Sequence, residues 1–201
     1  LPDWASAPSP RERARPTLAP SRLALGTDGA AHSAEQPPLG PSALGANDRY
    51  ARGRMVHALL QHLPNVAAEH QERAARAFVA MRGADLDQAL RDEIVAETLN
   101  VVRNPDFAPL FRPGSLAEVP VVARLGEGDG AFALDGQIDR LAVLDRDLLI
   151  VDYKTNRPPA ATAEEVAPAY IAQLAAYRAA LERLFPGRTL RAALLWTDGP
   201  R

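Results

Sequence analysis

Two stretches decide the fold: Gly136-Gln137-Ile138-Asp139-Arg140-Leu141 and Ile150-Val151-Asp152-Tyr153-Lys154-Thr155. The spacing predicts strands over 132–144 and 148–154, joined by a tight connection at Asp145-Arg146. If those two residues form the hairpin loop, Leu144 faces Asp147, and counting back sets Asp139 opposite Asp152. Alternate strand residues share a face, so Asp152 and Lys154 point to one side. Directly opposed residues hold their Cβ atoms about 4.5–5.5 Å apart. Two carboxylates at that spacing repel, and one takes up a proton unless a cation sits between them. A divalent metal with oxygen ligands suits the place, and magnesium would keep waters for further ligands. Lys154 then reaches past the metal, where an ammonium stabilises phosphate charge or helps an attacking water.

Working outward, a strand is expected over 118–125 before this hairpin and another over 190–196 after it. Between the last two strands, an Ala-rich helix is expected over 164–185, ended by Pro186-Gly187. Upstream, Met55, Val56, Leu59, Leu60 and Leu63 recur at helical spacing, with Asn47 or Asp48 as N-cap and Pro64 as stop. Two further helices are expected over 66–81 and 85–102, then a short turn or helix around 107–111. Helices, a strand meander, a helix and a strand describe an α/β mixed sheet. The first 46 residues differ, carrying eight of the 18 prolines; they read as an extended linker that lies along another surface. Beginning at Leu1, the chain reads as a fragment or a processed product.

Composition narrows the chemistry. The 201 residues are 47% hydrophobic and 24% charged, as in a globular domain. No apolar run approaches the roughly 18–20 residues that span a bilayer, so no membrane partner is expected. The absence of cysteine excludes disulfides, thiolate zinc sites and a cysteine-ligated iron–sulfur cluster. The net charge of −2 gives no strong steering toward nucleic acid by this piece alone. Of 23 basic residues only Lys154 is lysine, which marks a place where the bulky, always-protonated guanidinium will not serve.

In order along the chain, Gly53-x-x-x-His57, Gly136-Gln137-Ile138-Asp139, Asp152-Tyr153-Lys154 and Gln173-x-x-x-Tyr177 resemble the RecB-like branch of the PD-(D/E)xK nucleases. Ala117-Glu118-Val119-Pro120, Lys154-Thr155-Asn156-Arg157-Pro158, Tyr170-Ile171-Ala172-Gln173-Leu174 and Ala193-Leu194-Leu195-Trp196-Thr197 look closer to the nuclease domains of AddA-type helicase–nuclease subunits. The likeness spans roughly residues 47–199. It implies a restriction-endonuclease-like core, a mixed central sheet flanked by helices, with N-terminal helices before it. It divides the chain into a tether over 1–46, leading from a helicase region, and a nuclease domain over 47–201.

By the same resemblance His57, Asp139, Asp152 and the backbone carbonyl of Tyr153 hold the metal, magnesium with manganese as a substitute. Lys154 is the catalytic lysine beside Asp139 and Asp152, and Gln173 and Tyr177 position DNA or the catalytic groups. No iron–sulfur cluster is implied. The implied partners are single-stranded DNA from an unwound duplex, the helicase region of the same longer chain and an AddB-like subunit in the bacterial cytoplasm. A catalytically inert module that binds DNA or a partner is the rival, and the intact set of His57, Asp139, Asp152, Lys154 and Gln173 argues against it.

Several of these residues also have plainer roles. Tyr170, Gln173, Leu174, Tyr177 and Leu181 share one helical face, which normally means core packing. A glutamine within that stripe needs hydrogen-bond partners. Gly53 lets its helix approach a sheet closely. Glu118 reads as a structural acid on its strand, with a place near the metal as the alternative.

Overall fold

The computed structural model describes residues 17–18, 46–128 and 131–199. The expected linker therefore lies outside the described residues, except for Ala46 and a two-residue strand, β1 (Thr17–Leu18). Then follow α1 (Ala46–His62), α2 (Ala68–Arg82), α3 (Gln88–Val102), β2 (Leu116–Leu125), β3 (Phe132–Val143), β4 (Asp147–Lys154), α4 (Pro168–Leu184) and β5 (Thr189–Trp196).

Local chemistry sets most of the boundaries. α1 stops before Pro64, which sits inside a following 3-10 turn, Leu63–Asn65. Asn47 and Asp48 fall inside α1, which already begins at Ala46, ahead of either expected cap. α3 begins at Gln88 because the Asp87 carboxylate accepts the Leu90 N–H at 2.7 Å, three residues later than the expected start. α4 likewise starts later than expected. The residues 163–165 form a separate 3-10 turn, Ala167 is extended, and Pro168 opens the helix where its missing N–H costs nothing.

The sheet is mixed. β2 runs antiparallel along β3, β4 antiparallel to β3, and β5 parallel to β4, with α4 as the crossover that a parallel pair requires. The hairpin closes at Leu144 and Asp147, which exchange both backbone hydrogen bonds, at 2.9 and 3.1 Å. The ladder continues through Val143↔Leu148 to Arg140↔Val151 and stops there. β1 pairs parallel with Ala133 and Leu134, toward the start of β3.

Alternation along β4 separates two apolar layers. Val151 and Tyr153 pack with Val56, Leu60, Ile94 and Val101 beneath α1–α3. Leu148 and Ile150 pack with Leu174, Tyr177 and Leu181 beneath α4. Each fully buried aliphatic side chain contributes roughly 1.5–3 kcal/mol. The result is a helix–sheet–helix sandwich in which Asp152 and Lys154 end the α4-facing row. Among the described residues no helix is long and apolar enough to cross a membrane.

Candidate active site

Where the β3–β4 ladder stops, a side chain takes the place of backbone. The Asp139 carboxylate accepts the Tyr153 N–H at 2.7 Å through Oδ2, so β4 leaves β3 one pair before Asp139 would meet Asp152. The N–H and C=O of a strand residue leave on the same edge. The Tyr153 carbonyl therefore faces the same opening as its N–H.

α1 brings the imidazole. Gly53 lies against the start of the loop after β4: a Cβ there would come 3.1 Å from Thr155 Oγ1. One turn on, His57 Nδ1 stands 3.6 Å from Asp139 Oδ1, and its ring meets that of Tyr153 edge-on at 5.9 Å. Burial acts to lower the His57 pKa, but the hydrogen bond and charge of Asp139, with Asp152 and Glu118 behind it, outweigh burial and raise it.

Sequence reasoning undervalued Glu118. The pairs Ala117↔Arg140 and Val119↔Ile138 flank it, setting it opposite Asp139, yet these two make no regular pair. Its φ of 51° is a left-handed backbone uncommon outside glycine and costs about 1–3 kcal/mol. One ligand atom each from His57, Glu118 and Asp139 lie within 4.8 Å of one another. Burial and the Asp139 charge push the Glu118 carboxyl above its ordinary value. Its register against Asp139, readable once the β2–β3 pairing is known, was the signal that could have found it.

Asp152 and Lys154 form the other half. Asp152 is buried, and Lys154 Nζ lies 2.7 Å from its Oδ2. Burial raises the Asp152 pKa, the Lys154 charge opposes that, and the Asp139 carboxylate adds to it. Asp152 stands outside the trio of His57, Glu118 and Asp139, so the structure brings the predicted residues into two adjoining groups.

The α4 stripe is both core and site. Gln173 Oε1 accepts from Lys154 Nζ at 3.3 Å, one helical turn before Tyr177. Tyr177 donates to the Gln137 carbonyl at 2.7 Å and accepts its N–H at 3.1 Å. Gln137 stands opposite Pro120 in the β2–β3 register, and the phenol partners both of its backbone groups. Tyr170, expected only as core, places its ring 3.8 Å from Lys154 Nζ, a cation–π contact.

Carboxylates and one imidazole around an opening are a donor set for a hard divalent cation, and a half-buried ammonium beside it suits phosphate chemistry. Comparison with known proteins agrees with that chemistry. No curated protein matches the chain. Among solved structures it is similar to one described as the crystal structure of SSO0001, at 16% identity over 78% of this chain and 75% of that one, with a TM-score of 0.33. A family model described as the PD-(D/E)XK nuclease superfamily matches residues 33–200, spanning every group described above. With metal donors and lysine at the end of one hairpin, and the family's model running through them, the chain belongs to the PD-(D/E)XK nuclease superfamily.

Proposed function

We propose that this domain is a magnesium-dependent deoxyribonuclease, active also with manganese, that cuts single strands delivered by an AddA-type helicase region of a longer chain. In this reading it works with an AddB-like subunit in the bacterial cytoplasm, processing double-strand DNA breaks for recombination. The observation that carries the reading is the convergence of His57, Asp139 and the Tyr153 backbone on one opening, with Asp152–Lys154 at its side.

His57, Asp139, Asp152 and the Tyr153 carbonyl would hold the metal, with Glu118 next to them. A bound divalent cation neutralises charge on the scissile phosphate and acidifies water. Lys154, held by Asp152 and Gln173, presents its ammonium to charge developing on the phosphate. Gln173 and Tyr177 fix that ammonium relative to β3. The near-neutral charge of the chain fits delivery of DNA by a motor in place of capture by the domain.

The test is cleavage of a labelled single-stranded oligonucleotide with magnesium, manganese or EDTA. Cleavage is expected with either metal, none with EDTA, and a loss of at least about a thousandfold in Asp152→Asn and Lys154→Ala, each still folded. Undiminished metal-dependent cleavage by either variant overturns the assignment.

A further inference from the structure

Two phrases of the sequence take no part in the chemistry above: the turn through Arg157 and the segment ending at Thr197. Both end on one carboxylate, that of Glu97 in α3, only 6% exposed. Arg52, from the helix that carries His57, and Thr197 both donate to Glu97. Arg157 joins them at 3.0 Å and also pairs with Glu93 and, at 3.2 Å, with Asp198.

The same donors grip the backbone at the catalytic lysine. Thr197 N–H donates to the Lys154 carbonyl at 3.0 Å. Arg52 Nη1 donates to the next carbonyl, that of Thr155, at 2.7 Å. Glu97 thus holds, through one intermediate each, the two peptide groups that follow the Lys154 side chain. It also ties them to α1 beside Gly53, and so to His57. Desolvation offsets much of the net stability of such a buried ion cluster, so its main consequence is geometric.

We propose that Glu97 is a positioning residue for Lys154. By fixing Thr197 and Arg52 it sets where the strand end stops, and so where the ammonium lies between Asp152, Gln173 and the Tyr170 ring. Only the kinetic part of this inference rests on the nuclease reading.

Lys154 is the only lysine among the 201 residues, so the 201-residue chain labelled with ¹³C-lysine should give one side-chain Cε signal. In the wild type the Tyr170 ring, 3.8 Å from Nζ, is expected to displace that signal from the value of unstructured lysine. Glu97→Gln is expected to move it back toward that value. The same variant should lower kcat for metal-dependent cleavage about 10- to 100-fold, with KM held within about twofold. Should Glu97→Gln fail to fold, Thr197→Val removes one donor with little change in shape and is expected to act in the same direction. Thr197→Ser keeps the hydroxyl and should restore both signal and kcat.

A Lys154 signal that stays put in folded Glu97→Gln or Thr197→Val overturns the proposal. So does an unchanged kcat in a variant whose signal has moved. A wild type that shows the displaced signal but no metal-dependent cleavage overturns the nuclease reading instead, and the signal of the variants still decides the role of Glu97.

Discussion

At the residue scale the site depends on side chains that stand where backbone would otherwise pair. Asp139 takes the Tyr153 N–H, and Glu118 adopts a left-handed φ where it would have paired with Asp139. A strained acid beside a histidine and an aspartate is expected to contribute to metal affinity. Glu118→Gln should weaken manganese binding about tenfold in isothermal titration. Equal affinities in wild type and variant would return Glu118 to a purely structural role. Gly53 makes a second residue-scale point. Alanine there gains about 0.5–1 kcal/mol of helix propensity and spends it on a 3.1 Å contact with Thr155 Oγ1, leaving stability within about 1 kcal/mol. Valine adds two methyls to a Cβ already crowded at 3.1 Å and should destabilise by about 1–3 kcal/mol in urea unfolding. A valine variant as stable as wild type would show that α1 can retreat from the loop.

At the element scale α4 is a strut as well as a crossover. Its inner face supplies Leu174 and Leu181 to the core, while Gln173 and Tyr177 connect Lys154 to β3. Tyr177→Phe keeps the packing and removes the partner of both Gln137 backbone groups. Leaving them unsatisfied should cost about 1–3 kcal/mol in urea unfolding. A cost near zero would mean that water reaches Gln137 freely. The face of this helix was legible from its i, i+3, i+4, i+7 spacing. Its start was not, because Pro168 suits a helix's first turn as readily as it ends an earlier segment.

At the scale of the whole molecule, the free domain carries electrostatic tension that metal should relieve. Burial raises Asp152 and Glu118, and Asp139 helps raise His57 against the effect of burial. A group with a raised folded pKa stabilises the fold fully below its unfolded value and loses that stabilisation as pH climbs through the folded one. The unfolded values are 3.8, 4.5 and 6.5 for Asp152, Glu118 and His57. Between acid and neutral pH, the urea midpoint of the EDTA-treated wild type should therefore fall relative to Asp152→Asn. Saturating manganese should abolish that fall. Parallel curves for wild type and variant would disprove the tension at Asp152.

The sequence by itself determined the hairpin: period-2 alternation and a two-residue turn at Asp145-Arg146 are local, and they set the register that brings Asp139 toward Asp152. It also marked Lys154 by composition and the Gln173–Tyr177 stripe by spacing, whereas His57 stood out only through the family resemblance. Only the tertiary structure decided that the ladder ends at Arg140↔Val151, that Glu118 turns toward His57, and that Arg52, Arg157 and Thr197 meet at Glu97. Those outcomes depend on groups 14 to 100 residues apart competing for the same hydrogen bonds, and no local period records such a competition.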